Sequence, residues 1–184
     1  MNLLIDKLPT DYEGLKINTN FRSFILFELL MQDNSLKEKD KILLTLKIFF
    51  DTPPKDIKKA IEGVLWFYRC GEKEKHSKSG GNGKQKQIYS FEHDAKYIYS
   101  AFKTQYKIDL NEIDYLHWFK FKAMFEGLKS DNKICEIMGY RAIDLNQIKD
   151  KDEKKKYRKL QREFALPDNR TIEEKEQDFA NSLW

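Results

Sequence analysis

His76, His93 and His117 are the only imidazoles in the chain. His117 is the one with a neighbour, because Asp114 precedes it by three residues, a contact spacing if both sit on a helix. Such a pair could orient a general base, which would then need a Ser or Cys nucleophile beside it. No Ser or Cys lies near it in sequence. The plainer reading is a histidine at the edge of a core helix, satisfied by a carboxylate. His76 falls in a polar stretch, and His93 in a first helical turn.

The run Ser79-Gly80-Gly81-Asn82-Gly83-Lys84 hints at a phosphate cradle. A P-loop needs Gly, four residues, Gly-Lys and then Ser or Thr. Here Lys78 stands where the first glycine belongs and Gln85 where the hydroxyl belongs. The preceding segment reads as helix rather than strand, so the run is taken as a flexible linker. There is no HExxH, CxxC or calcium-loop pattern. The acidic pairs Asp152-Glu153 and Glu173-Glu174 sit in highly charged segments and read as solvated faces. Cys70 and Cys135 lack metal-ligand spacing. They could close one bridge, but nothing marks export, so free thiols are expected. No catalytic residue, cofactor or metal ligand is assigned, and no enzyme is expected.

Charge is more informative by distribution than by sum. The net charge of +4 is too mild to imply nucleic acid by itself. Residues 151–162 hold seven basic and two acidic residues, whereas residues 163–184 hold six acidic and two basic ones. The basic run around Tyr157 admits three readings: a solvated helix end, a protein-binding surface, or a phosphate-tracking face using Lys154, Lys155, Lys156 and Arg158. The last ranks lowest, because the acidic tail follows at once.

The elements that would carry these residues are mostly helical. Leu3-Leu4-Ile5 and Gly14-Leu15-Lys16-Ile17, around Pro9-Thr10-Asp11, predict a short N-terminal β-hairpin. Asn18 or Thr19 is placed to cap a helix to Met31 with Phe21, Ile25, Leu26, Leu29 and Leu30 inward. Ser35-x-x-Glu38 resembles a capping box for a helix carrying Ile42, Leu43, Leu46 and Phe50. The Pro53-Pro54 pair opens a third helix carrying Ile57, Ile61, Val64, Leu65 and Tyr68. Residues 71–87 contain no aliphatic or aromatic side chain and four of the eight glycines, so a mobile loop is predicted. Ser90 then caps a helix through Phe102 and Tyr106. Asp109-x-x-Glu112 caps the most apolar helix, running past Leu128 and greasy on more than one face, as the middle of a bundle would be. A short helix at 134–140 and a long one from Leu145 to Phe164, capped by Asp144, complete the set. The expected fold is therefore mainly α, a bundle of about six to seven helices in two halves. Residues 1–70 form the first half, 71–87 the loop, 88–167 the second half and 168–184 a charged tail. No apolar run approaches the roughly 20 residues that span a bilayer, and the first residues lack the pattern of a signal peptide.

One set of motifs is more specific than the rest. Phe91-Glu92-His93-Asp94-Ala95-x-Tyr97-Ile98-Tyr99-x-Ala101-Phe102 leads into Gln105-Tyr106-x-Ile108-Asp109-Leu110. Leu116-His117-Trp118-Phe119-Lys120-Phe121, Gly127-Leu128, Tyr140-Arg141 and Asp144-Leu145 follow. Upstream, Ile17-Asn18-Thr19-Asn20-Phe21-Arg22 and Leu65-Trp66-Phe67-Tyr68 complete the pattern. Over about residues 3–167 the chain resembles the bacteriophage "gene product fifteen" family, encoded in tail-assembly modules of siphophages and prophages of Gram-positive bacteria. The family usually has a second tryptophan where Phe119 stands. The resemblance implies a role in building a long non-contractile tail, as a chaperone that coats the tape-measure protein in the host cytoplasm until tail-tube protein polymerises around it. Coating proteins often self-associate, so self-association is a further expectation, and the resemblance brings no catalytic residues. A helical partner with aromatic grooves can cover an amphipathic helix, and Tyr97, Trp118 and Phe125 are the candidate groove residues. The alternatives are a minor structural protein of the virion, at the tail or head–tail joint, and a nucleic-acid-binding regulator using residues 151–162.

Overall fold

The computed structural model describes residues 2–72 and 87–167, and all structural statements below concern these. A two-stranded antiparallel hairpin, β1 (Asp11–Tyr12) and β2 (Leu15–Lys16), precedes seven helices. These are α1 (Phe21–Gln32), α2 (Glu38–Phe49), α3 (Ile57–Tyr68), α4 (Ala95–Tyr106), α5 (Trp118–Glu126), α6 (Lys133–Ala142) and α7 (Lys151–Glu163). The mainly helical fold with an N-terminal hairpin is thus as expected. The predicted loop at 71–87 falls almost wholly on residues 73–86, and the charged tail on 168–184, both outside the described residues.

The hairpin is tighter than predicted. Leu3, Leu4 and Ile5 form an exposed turn rather than a strand. The strands pair Asp11 with Lys16 and Tyr12 with Leu15, joined by Glu13 (φ 48°) and Gly14 (φ 83°). Two successive left-handed residues make the two-residue turn whose twist suits a hairpin. The Asp11 carboxylate accepts the Gly14 N–H at 3.0 Å.

Helix α1 starts after Asn20, whose side chain accepts the Arg22 N–H. Its buried side is set by Phe21, Phe24 and Phe27 with Leu30, and Leu26 is 53% exposed. The rings outcompete the aliphatic stripe because each buries more apolar area. The Ser35 capping box does not form. The Ser35 N–H and hydroxyl both bond the Asp33 carboxylate, and α2 begins after Lys37 without a side-chain cap. Its buried residues include Leu46 and Phe49, whereas Ile42 and Leu43 are exposed. Asp56, not the proline pair, caps α3 by accepting the Lys59 N–H at 3.0 Å.

The second half departs further. Ser90 accepts the Glu92 and His93 N–H groups in a turn, and α4 begins only at Ala95. The predicted helix from Leu110 is irregular chain up to His117, and α5 is a nine-residue helix. Distant partners take the backbone groups that a helix would need. The Phe21 N–H donates to the Leu116 carbonyl at 2.9 Å, and the Trp118 N–H to the Thr19 carbonyl at 2.8 Å. Asp109, the supposed cap, accepts from the Tyr99 hydroxyl (2.8 Å), the Lys103 ammonium (2.7 Å) and the Asn111 N–H (3.0 Å). Asp144 makes a local turn with Asn146, and α7 is capped by Asp150, which accepts the Glu153 N–H at 2.7 Å.

The expectation of a central apolar helix holds for the shorter α5. It packs against both α1 and α3. Trp118 stacks on Phe24 (centroids 5.0 Å apart) and Phe121 stacks on Phe102 (5.0 Å). One continuous core therefore joins residues on both sides of the 73–86 segment. On its far flank α4 packs on α6, and α6 on α7.

Candidate functional site

The candidate residues do not converge. Trp118 is 1% exposed and Phe125 6%, so both are core rings rather than a groove lining. Tyr97 is half-buried on α4, with the Lys96 ammonium 4.9 Å from its ring centroid. Lys155, Lys156 and Arg158 are exposed on α7, with Lys154 half-buried there. They form a separate surface.

His117 is not part of a helical pair with Asp114. It is the N-cap of α5: its Nδ1 accepts the Phe119 N–H at 3.1 Å, and its Nε2 lies 2.9 Å from the Pro9 carbonyl. A nitrogen that accepts cannot carry the proton, so the neutral ring holds it on Nε2 and donates to Pro9. Burial lowers the imidazole's pKa below its usual value, against the Pro9 bond that favours the charged form. Both nitrogens are engaged in holding chain, which leaves no free base. The Asp114 carbonyl accepts from the Asn20 amide at 3.0 Å.

The same holds for most of the motif residues. Arg22 Nη2 donates to the carbonyls of Leu110 (2.7 Å) and Ile113 (2.8 Å), fixing the irregular segment that leads to His117. Gln105 donates to the Gly127 carbonyl (3.0 Å) and accepts from the Lys129 N–H and the Asn132 amide (both 2.9 Å). The Tyr106 hydroxyl donates to the Met124 carbonyl at 2.8 Å. Gly127 sits under that hydroxyl, where an added Cβ would lie 3.3 Å from it and 3.1 Å from the Ala123 oxygen. Arg141 and Asp94, both buried, form a bidentate pair. Arg141 also donates to the carbonyls of Phe164 (2.7 Å) and Ile88 (3.0 Å). Phe119 is buried against Trp66 and Phe67, so the ring that replaces the expected tryptophan keeps an apolar packing role.

Two hollows remain. One, of about 630 Å³, is lined by Tyr68, Cys70, Phe119, Lys122 and Glu126. Burial pushes the Cys70 thiol up to about 11, which leaves it protonated and a poor nucleophile at neutral pH. The second is an apolar groove of about 470 Å³ between α1 and α4. Phe21, Ile25, Phe91, Ala95, Ile98, Tyr99 and Leu110 line it, with Arg22 and Lys96 at its polar positions. Leu26 and Leu29 follow Ile25 on the same outward side of α1, so the apolar surface continues beyond the groove. This is the most coherent candidate site in the described chain. The residue pattern carried a signal for it: α1 has two apolar stripes, Phe21-Phe24-Phe27 and Ile25-Leu26-Leu29, and one helix face cannot bury both.

Among the described residues, no group of three or more His, Cys, Asp or Glu side chains could hold a metal ion. No helix there is long and apolar enough to cross a membrane. No curated protein and no solved structure matches the chain. The family model described as Bacteriophage Gp15 protein matches residues 4–166, nearly the whole described chain, and the chain belongs to that phage family.

Proposed function

We propose that this phage protein is a tail-assembly chaperone. It binds the tape-measure protein in the host cytoplasm, holds it until tail-tube protein polymerises around it, and catalyses nothing. The observation that carries the reading is the apolar groove between α1 and α4, lined by half-buried Ile25 and continued by half-buried Leu29 and exposed Leu26. Contiguous exposed apolar surface marks a binding face. A groove lined by aromatic and aliphatic side chains suits the apolar edge of an amphipathic helix. Tape-measure proteins are long and helical, which makes their bare apolar faces prone to aggregation.

The rival within the same family is a permanent component of the virion. Mass spectrometry of purified particles and of tail intermediates separates the two. The chaperone reading expects the protein with tape-measure protein in intermediates and its absence from finished particles. Stoichiometric recovery from finished particles would establish the rival instead.

A further inference from the structure

Helix α7 has the chain's clearest division of faces. Tyr157, Leu160, Gln161 and Phe164 are half-buried, and Gln161 donates to the Tyr140 and Ile143 carbonyls at 2.9 and 2.8 Å. Tyr140 meets Tyr157 and Phe164 with centroids 6.4 and 5.9 Å away. The opposite side is exposed and carries Lys151, Lys155, Arg158, Lys159 and Arg162. At 3.6 residues per turn these five fall within an arc of about 100°, spread over roughly 16 Å of axis. Asp152, Glu153 and Glu163 fall outside that arc. None of the five cations pairs with an acidic side chain among the described residues.

At its C-terminal end the stripe opens onto a hollow of about 450 Å³. Gln87, Arg141, Arg158, Gln161 and Arg162 supply its polar lining, and no acidic side chain among the described residues contributes. The Arg141 charge is answered by Asp94, whereas no acidic side chain among the described residues pairs with Arg158 or Arg162. The fold thus places two guanidinium groups, unpaired among the described residues, at one hollow in line with three lysines. Like charges are gathered there at an electrostatic cost that a polyanion would remove.

We propose that this face of α7 binds the phosphate backbone of nucleic acid. The alternative polyanion is an acidic protein segment, and the composition of the face argues against it. Protein interfaces are centred on aromatic and aliphatic anchors and are depleted in lysine. This face is lysine and arginine throughout, because the apolar side chains of α7 turn inward to α6. A strand of duplex nucleic acid presents a phosphate about every 3.4 Å of axis, so the stripe spans about five of them. With no side chain placed to read base edges, the binding is independent of base sequence. It rests on α7 alone and is independent of the tape-measure reading.

The test is fluorescence anisotropy of a labelled DNA duplex of about 20 base pairs with the full chain, titrated between about 50 and 200 mM salt. The expected result is binding at low salt that weakens steeply as salt rises. K155Q/R158Q/R162Q is expected to lose about tenfold or more in affinity and to flatten the log–log salt slope by roughly 2 to 3. All three residues are exposed, and unchanged circular dichroism checks the fold. If the triple variant loses helix, R158Q alone is used, with a slope change of about 1 expected. Absence of binding at the lowest salt, or equal binding by the variant, would overturn the proposal. So would polyglutamate that displaces the duplex at matched charge, which would reassign the face to an acidic protein.

Discussion

The side chains that define the family motifs act on distant backbone. Arg141 and Asp94 are 47 residues apart, and both are buried. Removing one partner leaves a buried charge without its counter-ion, which costs about 3–5 kcal/mol. Asp94→Ala and Arg141→Ala are therefore expected to lower the urea midpoint sharply or prevent folding. Exposed Lys120→Ala should shift it by no more than about 0.5 kcal/mol. His117 gives a pH signature. Its folded pKa lies below the usual value of 6.5, so the unfolded chain takes up a proton first as pH falls. Protonation also puts a hydrogen on Nδ1, where the Phe119 N–H must donate. Its contribution is thus fully present above about pH 6.5 and is lost as pH falls below that value. Urea midpoints at about pH 7.5 and about pH 5.5 should fall less in His117→Asn than in the parent chain. An equal fall in both would show that His117 is not the sensor.

At the scale of elements, the helices were readable from their periodicity and their caps much less so. The inward face of α5 was legible because Trp118, Phe119, Phe121 and Phe125 crowd four rings into nine residues. The start of α5 was not. The segment 109–117 has capping chemistry and apolar spacing of its own, yet Arg22 takes its carbonyls from 88 to 91 residues away in sequence. No local rule contains that partner. The groove was missed for a related reason: Ile25 and Leu26 read as core until the phenylalanines of α1 are given first claim on the interior. This assignment yields a contrast between a substitution on the outward side of α1 and one in the core. Leu26→Asp, on the open stripe, is expected to leave stability within about 0.5 kcal/mol of the parent, because it removes little buried area. Trp118→Ala, in the ring stack of α5, should cost about 3–5 kcal/mol. Equilibrium urea unfolding of the two variants checks both values, and a large loss for Leu26→Asp would place that side chain in the core after all.

For the whole molecule, one core holds residues from both sides of the 73–86 segment, so the two halves are expected to unfold together. A single transition, coincident by tryptophan fluorescence and far-ultraviolet circular dichroism, is the outcome that agrees with this. Two separated transitions would mean that the halves are independent. The polar motif residues are occupied in holding chain, so the surfaces we propose for partners are the apolar one beside α1 and the basic one along α7. We propose that the apolar one receives the tape-measure protein. It is tested most directly by co-expressing the chain with the tape-measure protein of its own phage, and scoring how much of that protein remains in the supernatant and whether the two co-purify. A complex is expected to be recovered with the parent chain and lost with the folded Leu26→Asp variant. Tape-measure protein that precipitates equally with and without the parent chain would contradict it.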